Sequence, residues 1–203
     1  MVAAMRSERR SLLTRRLALG VLIAAGFAFA GQIQAQYSAA DYAKQGYDWA
    51  MKGQYDRAIA DYNEAIRIDP DFAFAYCNRG LARGNKREYD RAIADFEQAI
   101  RLDPNYANAY NDLARLQATC PDAHFRDGHM AFVNASRGYQ LSGGKDARFI
   151  DTLAAAYAES DDFKKAKEWQ VKAIELSTSE KKMQEYRSRL RLYEQRKPYR
   201  QEP

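Results

Sequence analysis

Apolar residues recur at steps of three and four along YDRAIADYNEAIRIDP, residues 55–70, with Tyr55, Ala58, Tyr62 and Ala65 in phase and charged residues between them. Side chains three to four apart share one face of a helix, so the pattern predicts a helix with one apolar side. It returns 34 residues later as YDRAIADFEQAIRLDP, residues 89–104, with twelve of sixteen positions identical. Asp69-Pro70 and Asp103-Pro104 close the two helices, because proline disfavours helical backbone in the residue before it. A fixed spacing of this length predicts helical hairpins stacked side by side.

The matched positions sharpen the expectation. Gly46 corresponds to Gly80, Tyr55 to Tyr89, Ala58 to Ala92, Tyr62 to Phe96, Ala65 to Ala99 and Pro70 to Pro104. A mid-helix glycine costs about 1 kcal/mol relative to alanine, which makes sense where a neighbouring helix must approach closely. The alanines then supply small partners, and the rings fill wider gaps between hairpins. On these residues the chain resembles the tetratricopeptide repeat (TPR) family, whose units read small, aromatic, alanine, aromatic, alanine, proline at these intervals. The resemblance implies an all-α, right-handed superhelical solenoid. One hairpin cannot bury its apolar face alone, so the units must stack.

Four units follow, 39–72, 73–106, 107–145 and 146–178. Tyr110, Leu113 and Ala114 carry the third. Its turn, CPDAHFRDG at 120–128, is about five residues longer than the others, and its second helix resumes at Ala131, Ala135, Gly138 and Leu141. The fourth keeps register through Leu153, Ala154, Tyr157, Phe163, Ala166, Ala173 and Leu176. A capping helix, 179–196, begins near a Ser177–Glu180 capping box. Met183, Tyr186, Leu190 and Tyr193 form its apolar stripe. The basic tail, 197–203, reads as loose.

Charge and leader change the picture upstream. Arg6, Arg9, Arg10, Arg15 and Arg16 precede the apolar run LALGVLIAAGFAFAG, residues 17–31, which describes an export signal over 1–35. The run is short for a permanent membrane span, although an uncleaved anchor is the alternative. Cleavage could follow Ala30 or Ala35. TRRLAL, residues 14–19, resembles a twin-arginine signal only weakly. With five arginines against Glu8, the leader carries +4 of the total +5, leaving about +1 beyond it. The basic balance is therefore no nucleic-acid footprint.

In the family, first helices of successive hairpins line a concave groove that holds partner segments. By register, that groove takes Ala40, Ala43, Tyr47 and Met51, then Phe74, Cys77 and Leu81, then Asn108, Asn111, Arg115 and Ala118, then Arg148, Asp151 and Ala155. The binding candidates are Tyr47, Phe74, Asn78, Leu81, Asn108, Asn111, Arg115, Arg148 and Asp151. They run from apolar through amide-rich to ionic, suiting an extended peptide or helix with an apolar and a polar portion. Asn108 and Asn111 could hold its backbone, and Arg115 and Arg148 its carboxylates. Some TPR domains grip a terminal carboxylate with a lysine–asparagine–arginine clamp. Here Ala43, Tyr47, Asn108 and Asp112 stand at four of its positions and only Asn78 matches.

Other chemistry is thin. Cys120, Asp122, His124, Asp127 and His129 are zinc-type ligands, but their spacing fits no recognised site, and Asp127 is placed to cap a helix. No metal or cofactor is expected. Cys77 and Cys120 lie on first helices about nine residues apart in register, or ~13 Å, beyond disulfide reach, so both read as free thiols. Four hairpins and a cap leave no residues for a catalytic domain. The reading is a non-enzymatic adaptor, exported to the periplasm or secreted, binding another protein. The alternative is an inner-membrane-anchored structural or self-assembling envelope protein.

Overall fold

The computed structural model describes residues 37–201. Helix α1 spans Ala39–Met51, α2 Tyr55–Ile68, α3 Ala73–Asn85, α4 Tyr89–Leu102 and α5 Ala107–Thr119. A short 3-10 turn, Ala123–Phe125, precedes α6 (Gly128–Leu141), α7 (Ala147–Glu159), α8 (Phe163–Leu176) and α9 (Glu180–Glu194). Each helix packs on the next, and α5 also packs on α7, producing an all-α solenoid of antiparallel hairpins. The leader and the proposed signal lie outside the described residues. Among the described residues, no helix is long and apolar enough to cross a membrane.

The close approach expected at the glycines is present twice. A methyl on Gly46 would stand 2.9 Å from Tyr62 Cε1 and 3.1 Å from Ala58 O. On Gly80 it would stand 2.8 Å from Phe96 Cε1 and 3.1 Å from Ala92 O. The rings do more than fill space between hairpins: each presses on the glycine of its own hairpin. Tyr62 also joins a buried cluster with Ala75 and Ala82 of the next unit.

The later units solve the same contact differently. Ala114 and Ala154 take the glycine position, while Ala135 and Gln170 take the ring position. One side of the contact grows as the other shrinks. Gln170 is fully buried and becomes polar mortar: its amide donates to Asp151 Oδ1 at 2.9 Å and to Tyr186 O at 3.3 Å.

Side-chain caps mark the starts of α1, α6, α7, α8 and α9. Ser38 and Asp41 form a reciprocal capping box on α1. Asp127 caps α6 by accepting from Met130 N at 2.9 Å, and Asp122 accepts from His124 N at the 3-10 turn. On α9 the cap is Ser179 rather than Ser177: Ser179 Oγ accepts from Lys182 N, whereas Ser177 ends α8. Tyr186 and Tyr193 are buried on α9, with Met183 and Leu190 half-buried beside them.

As far as Gln201, the tail is not loose. Arg200 Nη1 reaches Glu159 Oε2 at 2.6 Å and donates to Ala118 O at 3.3 Å, while Gln201 N donates to Thr119 O at 2.9 Å. From the long turn of unit three, Arg126 meets the same Glu159 at 3.1 Å and donates to Cys120 O and Pro121 O. The C-terminal carbonyls of α5, which no further helical turn can satisfy, thus collect cationic and amide donors from two directions. Positive charge at a helix C-terminus is also favoured by the helix dipole.

Candidate functional site

First helices of successive hairpins open onto one cleft of about 540 Å³. Tyr47 comes from α1, Phe74, Cys77, Asn78 and Leu81 from α3, Asn108, Asn111, Asp112 and Arg115 from α5, and Arg148, Asp151 and Thr152 from α7. All nine side chains selected from the sequence therefore meet around a single space. Ala43, Ala118 and Ala155 do not line it. They are buried at the contacts between helices. Ala40 and Met51 are exposed outside it.

Sequence comparison identifies the repeat directly. A profile described as "TPR repeat" matches residues 50–86, and two described as "Tetratricopeptide repeat" match 73–106 and 147–180. Tetratricopeptide repeats therefore occupy residues 50–106 and 147–180 of the chain.

No curated relative matches this TPR chain at significant similarity. Among solved structures, that of PilW, described as a widely conserved type IV pilus biogenesis factor, superposes with a TM-score of 0.61 at 14% identity. The match covers 67% of this chain, which spans 60% of the PilW chain. At that identity the likeness is one of fold.

The capping helix contributes what the repeat register did not reveal. Lys182, Tyr186 and Arg189 of α9 complete the far wall of the TPR cleft, and Tyr106 adds a ring before α5. Arg189 forms an ion pair with Asp151 Oδ2, so this predicted carboxylate is already held from both sides, by Gln170 and by Arg189. Its neighbour Asp112 pairs with Arg115 at 3.3 Å and accepts from the Cys77 thiol at 3.8 Å. The signal for α9 was its apolar stripe: setting Tyr186 into the core turns Lys182 and Arg189, four before and three after it, toward the cleft.

The electrostatics follow from burial. Desolvation raises the pKa of Asp112, with Arg115 and Arg148 opposing, and raises that of Asp151, with Arg189 foremost in opposition. Burial works most strongly against the charge on Arg189, but Asp151, Tyr199 and Tyr193 together outweigh it and the net pKa rises. Burial, then Asp112, pushes the Cys77 thiol well up, and burial lifts Tyr186 to about 12. The thiol is thus held as a weakly reactive neutral group.

Cys77 and Cys120 are both free and buried. Cys120 and Asp122 border the long turn, whose Phe125 ring packs 5.2 Å from that of Tyr89 in unit two. Among the described residues, no group of three or more His, Cys, Asp or Glu side chains is arranged to hold a metal ion.

Proposed function

We propose that this TPR protein is a non-enzymatic adaptor in the cell envelope that holds a segment of a partner protein in its cleft. One observation carries the reading: apolar, amide and ionic side chains from α1, α3, α5, α7 and α9 face one open space in that order along the solenoid. Phe74 and Tyr47 are both exposed there, with Phe72 stacked against the Phe74 ring. Asn78 donates to Phe74 O, which leaves its own carbonyl oxygen as an acceptor, and Asn111 Oδ1 accepts no bond among the described residues. Such amides suit an extended backbone, which offers alternating donors and acceptors.

Cleft chemistry favours binding over catalysis. Its two carboxylates are committed to ion pairs, and its thiol is kept protonated by burial. The envelope assignment rests on the basic-then-apolar leader, and N-terminal mass spectrometry of the exported chain tests it.

Affinity capture tests the cleft. The full chain is compared with a Tyr47→Ala/Asn111→Ala/Arg115→Ala variant. Partners are expected to be lost from the variant while its helical spectrum is unchanged. An unchanged partner set contradicts the reading.

A further inference from the structure

We propose that the segment held in the cleft is acidic at one end, its carboxylates seated against Arg115, Arg148 and Lys182, with a large apolar side chain at the other end against Tyr47, Phe74 and Leu81. This rests on the cleft reading above and adds the chemistry of the occupant.

The charge balance of the lining is one-sided. Arg115, Arg148, Lys182 and Arg189 face two acids, Asp112 and Asp151. Both acids are deep and already bonded, so neither repels an incoming anion from the surface. The cations come from three separate helices yet converge: Asp151 lies in the field of Arg189, Lys182 and Arg115, and Asp112 in that of Arg115 and Arg148. Bringing like charges together in one concavity raises the local positive potential, which an anionic ligand relieves.

Three of the four are within reach of a ligand. The side chains of Arg115, Arg148 and Lys182 are 39%, 63% and 51% exposed, whereas Arg189 is 17% exposed and engaged with Asp151. Each keeps donors to spare. Arg115 uses Nη2 on Asp112; Arg148 uses Nε and Nη2 on Asp146; Lys182 donates to Glu185. The pairs with Asp146 and Glu185 stand at the surface, where ion pairs contribute little and exchange readily. A carboxylate can therefore take the remaining guanidinium edges without breaking a buried contact.

The apolar end sits on different helices. Tyr47 and Phe74 are 47% and 39% exposed on α1 and α3. From α3 to α7 is two helix spacings, ~20 Å at 8–10 Å each, which about six extended residues cover. The amides of α5 lie between. This arrangement differs from the carboxylate clamp of other TPR domains: none of the three cations stands at a clamp position, and one belongs to the capping helix.

Selection from a random dodecapeptide display library on the full chain tests the proposal. Selected peptides are measured against Arg115→Gln/Arg148→Gln/Lys182→Gln and against a control with the same charge change outside the cleft, Arg67→Gln/Arg91→Gln/Lys165→Gln. Circular dichroism verifies that both fold. We expect enrichment of Asp or Glu a few residues from an aromatic, at least about a tenfold affinity loss on the cleft triple, and a change below about twofold on the control. No enrichment of acids, no binders, or acidic peptides that ignore both triples would overturn it. Neutral peptides whose binding is lost in Tyr47→Ala/Asn111→Ala would leave the cleft reading standing and remove only the anionic occupant.

Discussion

Gly80 lies under the ring of Phe96, and Gly46 lies under the ring of Tyr62 in the same way. Each glycine has an aromatic edge and a backbone carbonyl so close that a single methyl would meet both at 2.8–3.1 Å. The repeated glycine is thus set by the ring opposite it.

Two effects compete at this position. Gly80→Ala gains about 1 kcal/mol of helix propensity but overpacks a buried contact, which costs about 1–3 kcal/mol. Phe96 is only 2% exposed and Ala92 O is backbone, so neither can move aside cheaply. The substitution is expected to destabilise the chain by roughly 1 kcal/mol in urea unfolding, and Gly80→Ala/Phe96→Leu to recover part of the loss. A more stable single variant contradicts the packing account.

The two early repeats differ in one buried carboxylate. Asp95 receives Arg79 through Nε and Nη2 and Arg83 through Nη1. Asp61, its counterpart 34 residues earlier, faces Gln45 and Trp49 at the arginine positions. Burial raises its pKa, with Trp49 opposing, and its Oδ2 has no hydrogen-bond partner among the described residues. Gln45→Arg should supply the missing fork, stabilising by about 1 kcal/mol and lowering the Asp61 pKa. Urea midpoints and carboxyl NMR titration read both effects; no change in either contradicts the pairing.

Arg189 sets the pH response of the far wall. Burial places the folded pKa of Asp151 above its ordinary 3.8. A carboxyl raised on folding contributes most stability below its unfolded pKa and loses it as pH rises through the folded value. Removing the opposing cation raises the folded pKa further, so more stability is lost as pH rises. Arg189→Gln is therefore expected to cost about 3 kcal/mol near pH 7 and clearly less near pH 4, where Asp151 can take up a proton. An equal cost at both pH values contradicts the pairing.

The tail carries a thermodynamic consequence. Glu159 is shared by Arg126 and Arg200, so Glu159→Gln weakens two contacts and Arg200→Ala one. The expected costs are about 2 and about 1 kcal/mol, with the double variant less destabilised than their sum because the sites share a contact. Strict additivity in urea unfolding would detach the tail from Glu159.

Much of the solenoid was legible because its signal is repetitive: the spacing of Gly46, Tyr62, Gly80 and Phe96 carries both helix period and packing partner. The cleft-facing residues of α1, α3, α5 and α7 were legible for the same reason, since register alone turns a side chain inward. Where the repeat lapses, so does legibility. Gln170 at a ring position makes sense only once Asp151 and Tyr186 O are seen on either side. The α9 contribution was missed because a capping helix follows no repeat register. The tail misled because RKPYRQEP is basic and polar, and its partners are carbonyls left open by the long turn of unit three, a relationship that exists only in the folded chain.

Photocrosslinking tests the partner-binding role of the cleft most directly. A benzophenone side chain is placed at Asn111, in the cleft, or at Glu97, exposed on the second helix of its hairpin. The account predicts a discrete partner adduct from position 111, suppressed by excess peptide selected on the cleft, and none from 97. The same adduct from 97, with none from 111, would contradict it.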